Sequence, residues 1–233
     1  MFTGPNIVTD GLVVHLDAAN VKSYPETGTT WYDLSGYNNH GTMYGFTGPG
    51  AGVTSGFDTN TKYMMFDRHN GAGNTIVNNR VVIPNTNSLD EVLCQNGMTI
   101  DMWVRETEYV CTALTKWNGS WEVYYCASLV FRTQGTGGTD LSTGLSTSPG
   151  TWRNLVTIHD GITAKMYING VLILNRSNTI TGQNTSSNIS IGGYESGTYA
   201  TYGAIPTYKL YSRVLTSEEV LQNYNATKAR FGL

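Results

Sequence analysis

The chain has 233 residues, of which 39% are hydrophobic and only 13% charged, with a net charge of −3. That length and apolar content suffice for one full core, and the weak negative balance offers no basic field to a phosphate backbone, which excludes nucleic acid as an expected partner. No stretch approaches the roughly 20 apolar residues of a membrane helix, so membrane insertion is not expected.

Short apolar runs alternate with Gly, Asn and Pro along the whole chain, the mark of strands and turns. In chain order, Gly11 to Leu16, Lys62 to Phe66 and Arg80 to Ile83 read as strands, the last of them stopped by Pro84. Met98 to Val104 alternates cleanly: Met98, Ile100, Met102 and Val104 share one face, and Thr99, Asp101 and Trp103 the other. Asn118-Gly119 and Asn169-Gly170 read as two-residue hairpin turns, because both central positions need φ > 0. Gly135 to Pro149 reads as a flexible loop. Thr216 to Lys228 reads as one short helix opened by a capping box of Thr216 and Glu219, with Val220, Leu221 and Tyr224 on one face. The expected fold is a single all-β domain over residues 1–233, a two-sheet antiparallel jelly-roll-like sandwich with one C-terminal helix at about 216–228.

The Asn118-Gly119 turn fixes a register. Trp117 pairs with Ser120, Leu114 with Val123 and Cys111 with Cys126. Leu114, Trp121, Val123 and Tyr125 then face the core, and Trp117, Glu122 and Tyr124 face outward. Two aromatics beside a carboxylate could stack on a sugar ring and accept its hydroxyls; equally, a neighbouring loop could cover them, since cross-strand aromatics stabilise sheets without a ligand. Tyr194, Tyr199 and Tyr202 lie in a Gly-rich segment, either to contact a partner or to clamp the loop. Opposed Cys111 and Cys126 stand within bridging range. The reduced state is the expectation, because Met1 is followed by no secretory signal, and the odd count of 3 cysteines argues against a disulfide framework. Asp33, Asn38 and Asn39 are calcium candidates, or else an Asx-turn cluster that satisfies its own backbone. The sequence has no paired-carboxylate, His-Glu-x-x-His or Gly-x-Ser-x-Gly motif.

GLVVHLDAAN, WYDLSGYNNHGT, MTIDMWVR, TWRNLVTIHDGITAKMYINGVLI and the closing YKLYSRVLTSEEVLQNYNATKARFGL resemble, in order, the elements of the laminin-G-like, concanavalin A-like lectin/glucanase superfamily. The resemblance covers nearly the whole chain and implies the sandwich fold, not a ligand. The opening LDAAN and the closing helix are also similar to virion proteins of tailed phages. That likeness implies a protein made in the host cytoplasm and carried on the virion surface, with other virion proteins and cell-surface glycans as partners. Many relatives carry an acidic pair where this chain reads Ile205-Pro206-Thr207-Tyr208, which weakens the calcium reading. The leading expectation is a non-catalytic capsid-decorating or fibre protein that binds glycans. A lattice-cementing homo-oligomer without a sugar ligand and a glycan-degrading enzyme are the alternatives.

Overall fold

The computed structural model describes residues 5–67, 79–107, 113–116, 121–125, 128–133, 135–146, 148–183, 186–196 and 201–233; for 113–115, 124, 125 and 128 it describes the backbone alone. The strands run β1 (Leu12–Asp17), β2 (Thr30–Trp31), β3 (Gly41–Tyr44), β4 (Gly56–Asp58), β5 (Tyr63–Phe66) and β6 (Arg80–Ile83). A single turn, α1 (Asn87–Asp90), leads into β7 (Met98–Glu106), β8 (Ala113–Lys116), β9 (Trp121–Tyr125), β10 (Ser128–Thr133) and β11 (Asp140–Ser146). Then follow β12 (Arg153–His159), β13 (Thr163–Ile168), β14 (Val171–Ser177), β15 (Ile189–Ile191), β16 (Gly203–Tyr211) and the helix α2 (Ser217–Thr227).

These strands form two eight-stranded sheets. The first has the order β14-β13-β12-β7-β16-β5-β4, with β1 alongside β16 beyond the end of β5; the second has the order β11-β10-β9-β8-β15-β6-β3-β2. Every strand-to-strand ladder in both sheets is antiparallel. The all-β sandwich with its C-terminal helix is therefore as expected from the sequence. Gly135 to Pro149 is not one loop: Asp140–Ser146 pairs with β10 as the edge strand of the second sheet. A polar Ser/Thr/Gly run carries no apolar alternation, so an exposed edge strand is indistinguishable from a loop in the sequence.

One core lies between the sheets. Met98, Ile100, Met102 and Val104 of β7 enter it from the first sheet, and Trp121, Val123, Phe131, Ile189 and Ile191 from the second. Burying each such side chain contributes about 1.5–3 kcal/mol. Both Asn-Gly readings concern real pairings. Asn169 and Gly170 stand at φ 52° and 78° and close β13 onto β14 with Ile168 opposite Val171. β8 and β9 pair with Leu114 opposite Val123, as the turn at 118–119 requires, although the turn itself and the Cys111–Cys126 position lie outside the described residues. Gly41, which closes the Ser-Gly-x-x-Asn-x-Gly turn, has to be glycine, because a Cβ there would collide with the Val81 side chain.

Two features shape the outer face of the first sheet. Pro206 sits inside β16, a position closed to proline in a regular central strand. It falls where the register shifts, between Gly203 and Ala204, which pair with β5, and Thr207 onward, which pairs with β1. The missing N–H is thus lost where β16 changes neighbours. Beyond it, α2 crosses the sheet. Thr216 Oγ1 accepts from the Glu219 amide at 3.3 Å and Glu219 Oε2 accepts from the Thr216 amide at 2.9 Å, so the capping box forms. Val220 is buried and Tyr224 stacks on Trp103 at 5.9 Å, but Leu221 is 47% exposed and turns toward the β13–β14 hairpin, off the face expected for it. Asn223 takes the inward position: its Nδ2 donates to Asp101 and its Oδ1 accepts from the Val8 amide.

Candidate functional site

Direct cross-strand pairing puts Thr42, Val82, Ser190, Thr115, Glu122, Arg132 and Asp140 in one row over seven strands of the second sheet. Their chain neighbours Met43, Val81, Ile83, Ile189, Ile191, Val123 and Phe131 are core residues, so the row belongs to the sheet's outer face. That face is polar for most of its width, as a solvated sheet face should be.

The charges concentrate at one end. Arg132 grips Asp140 with both arms of its guanidinium, Nε to Oδ1 at 2.6 Å and Nη2 to Oδ2 at 2.9 Å, while Nη1 reaches Glu122 Oε2 at 3.2 Å. The loop after β15 folds back over the sheet, held by Ser190 Oγ donating to the Gly193 carbonyl. From this loop the Tyr194 hydroxyl donates to Glu122 Oε1. The Glu122 side chain is only 3% exposed, against 33% for Arg132 and 47% for Asp140. Burial pushes the Glu122 carboxyl above the usual carboxylate range, and the Tyr194 hydrogen bond and Arg132 pull against that rise.

Glu122 therefore lies on the expected face but is not presented: Tyr194 covers it and Arg132 shields its other oxygen. Tyr194 clamps the loop onto the sheet. Tyr202 is half-buried, and its carbonyl accepts from the Thr107 amide at 2.9 Å. Trp117 and Tyr199 lie outside the described residues, as does the side chain of Tyr124, whose backbone stands opposite Ala113 and Val130. The exposed groups on this face are others: Arg132 and Asp140 at one end and, toward the other, Tyr44, 45% exposed with the Arg80 guanidinium 4.9 Å from its ring centre. No turn signal links β9 to β10, so no register legible in the sequence brings Arg132 opposite Glu122. Tyr44 and Arg80 are neighbours only through the β3–β6 pairing of distant segments.

The Asp33 segment is organised around its own backbone. Asp33 Oδ1 accepts from the amides of His15 at 2.7 Å and Ser35 at 2.9 Å, and Oδ2 from Ser35 Oγ at 2.6 Å and the Asn39 amide at 3.0 Å. Asn39 is buried, its Nδ2 donating to the Val13 carbonyl and Ser88 Oγ. Asn38 is exposed at φ 60°. The Asp33 and Asn39 side chains are thus spent on the protein's own backbone and hydroxyls, and among the described residues no three His, Cys, Asp or Glu side chains gather. Cys94 is buried, its thiol pushed up to about 12 by desolvation.

The architecture has clear counterparts. The binding domain of Paraclostridial Mosquitocidal Protein 1 superposes with a TM-score of 0.65 at 18% identity, over 94% of this chain and 52% of that one. A structure of botulinum neurotoxin type C, whose cell entry is described as dependent on interaction with two ganglioside molecules, gives 0.66 at 14% identity over 94% and 52%. Domain 4 of AbnA, a GH43 extracellular arabinanase from Geobacillus stearothermophilus in complex with arabinotriose, gives 0.59 at 15% identity over 91% and 98%. The chain thus spans about half the length of these toxin structures and nearly all of the arabinanase domain. At such identities the likeness is one of fold. No curated protein matches significantly in sequence. A family model for the concanavalin A-like lectin/glucanases superfamily matches residues 73–221, well over half of the chain, and with the sandwich on which the model rests now described, the protein belongs to that superfamily.

Proposed function

We propose that the protein is a non-catalytic carbohydrate-binding module that uses the outer face of its second sheet, carried on the surface of a tailed-phage virion. The observation that carries the binding half is the exposed Arg132–Asp140 fork at the end of that row. A guanidinium and a carboxylate held in one plane offer donors and acceptors side by side, the pattern that neighbouring sugar hydroxyls need. Tyr44 adds an exposed ring farther along the same face. The arabinotriose complex of AbnA domain 4 and the ganglioside interaction of the type C neurotoxin support the ligand class. The virion half rests on the likeness of the opening and closing segments to tailed-phage proteins and on the surface poor in charge.

We read Asp140 as a binding group and Glu122 as the buried carboxylate that helps hold Arg132 in place. Both carboxylates are ion-paired to one arginine, and Glu122 is covered by Tyr194, so the two do not stand free across a groove as an acid and a nucleophile would. The test is a glycan array followed by calorimetry on the glycans retained. Arg132→Ala should weaken the leading glycan by roughly tenfold or more, because it removes a charge-assisted hydrogen bond. Unchanged affinity in Arg132→Ala and Tyr44→Ala would refute the site; release of reducing ends from a bound glycan would refute the non-catalytic reading.

A cementing role has its own observation. Val171 and Leu172, 61% and 46% exposed, start the edge strand β14 beside the exposed Leu221. Light scattering on the purified protein decides it: a stable oligomer lost in Leu172→Lys would favour the lattice reading.

A further inference from the structure

The outer face of the first sheet holds a second concavity, unrelated to the row just described. It is an open cleft of about 290 Å³ between β1, β16, the end of α2 and the segment Pro5–Ile7. That volume is at the lower end for small-molecule sites. Strand register builds its floor: His15 of β1 stands opposite Lys209 of β16, and Asp17 opposite Thr207.

The polar groups of this floor are incompletely used. Lys209 is 1% exposed; its Nζ is ion-paired to Asp101 Oδ2 at 3.0 Å, which leaves the rest of its three N–H donors without a partner. Thr207 is 2% exposed and its Oγ1 is likewise without a hydrogen-bond partner. A buried donor or acceptor left unpaired destabilises a fold, and two side by side beneath a cleft need a reason. The His15 imidazole forms the wall beside them. Its burial and the adjacent Lys209 charge lower its pKa to about 4, so it is neutral at pH 7.

The charges around the cleft are already matched, Lys209 with Asp101 and Arg230 with Asp17 at 2.7 Å. An ion of either sign would therefore meet its like. What the floor lacks is a partner that accepts from an ammonium and a hydroxyl and also gives a proton to a neutral imidazole or a carboxylate. Hydroxyl groups do both, and a sugar ring presents several of them side by side without a charge. We infer that this cleft binds a neutral, hydroxyl-rich ligand of about one ring, such as a terminal sugar residue, through Thr207, Lys209 and His15. The lysine's flexible stem lets Nζ rise the short way from floor to ligand. The inference shares a ligand class with the second-sheet reading but neither its residues nor its face, so the two can fail separately.

The test is NMR of the intact protein titrated with the methyl glycosides of glucose, galactose, mannose and arabinose, with sodium acetate and glucuronate as anionic probes. The methyl signals of Thr207 and Thr227 and the ring signal of His15 report on the cleft. The expected result is a saturable shift of these signals with at least one neutral glycoside at millimolar concentration. Thr207→Val should weaken that binding about fivefold, the worth of one neutral hydrogen bond. The unliganded variant should melt no lower than wild type, because an unpaired hydroxyl has been removed; a merely structural threonine would show the reverse. Arg132→Ala should leave these shifts unaltered. No saturable shift with any glycoside, stronger binding of acetate or glucuronate, or binding unchanged in Thr207→Val would each overturn the inference.

Discussion

Replacing Asp101 by asparagine should be among the most damaging single changes in this protein. Asp101 is completely buried under α2. Its carboxylate accepts from Asn154 Nδ2 at 2.7 Å and Asn223 Nδ2 at 2.9 Å and compensates the Lys209 ammonium at 3.0 Å. Asparagine fills the same volume but removes the charge, and its own amide group points a donor at a donor. Breaking a buried pair from one side costs about 3–5 kcal/mol, because the surviving charge stays in a poor dielectric. At about 2–4 °C per kcal/mol for a domain of this size, the melting temperature should fall by roughly 6–20 °C. The double variant Asp101→Leu/Lys209→Met removes both charges and leaves only two amides short of an acceptor. It should lie well above the sum of its singles, with a coupling of about 2 kcal/mol or more. Calorimetric melts of wild type, Asp101→Leu, Lys209→Met and the double variant complete the cycle, with Asp101→Asn measured beside them. A loss under about 3 °C in Asp101→Asn, or strict additivity in the double variant, would refute the argument that the pair is held by mutual need.

Two further outcomes are expected. Burial lowers the Lys116 ammonium to about 8 in the fold against 10.5 in a free lysine, so between these pH values the unfolded chain binds more protons and stability rises with pH. Lys116→Met should accordingly melt higher than wild type at pH 7, with the gap shrinking toward about pH 10; a gap independent of pH contradicts the assignment. Trp103→Ala empties the stack in which Phe231 lies 4.1 Å and Tyr224 5.9 Å from the Trp103 ring, and also removes the Nε1 hydrogen bond to Thr227. It should cost about 3–5 kcal/mol, and hydrogen exchange over residues 217–231 should accelerate before that of β7; unchanged protection there would mean that the helix is held by other contacts.

The sequence carries the fold well wherever period and turn chemistry coincide. The alternation of Met98 to Val104 marks the core face of β7, and the two Asn-Gly pairs mark the registers of β8 with β9 and β13 with β14. It fails where a residue's surroundings come from far along the chain. Lys116 stands opposite Trp121, a core position, and nothing nearby announces that its ammonium will end on the Leu89 carbonyl of α1. Glu122 faces outward by parity, yet Tyr194, 72 residues later, covers it. The alternation puts Thr99, Asp101 and Trp103 on the second face of β7 without saying what lies over it, and all three are completely buried there beneath the C-terminal segment. Parity assigns a side to each residue; what lies on that side is decided by tertiary packing.

Both described ends of the chain are fastened to the same side. The Val8 amide bonds to Asn223 of α2, and Phe231 closes on Trp103, both over the outer face of the first sheet. A carrier joined at either end would lie behind that sheet, and the Arg132 row would point directly away from it. On the proposed virion role, the fold would serve as an oriented mount. Copies arrayed on one particle would all turn the same face to the surroundings, so contacts individually as weak as a single sugar ring would act together, with avidity set by the spacing of the mounts and not by any one site.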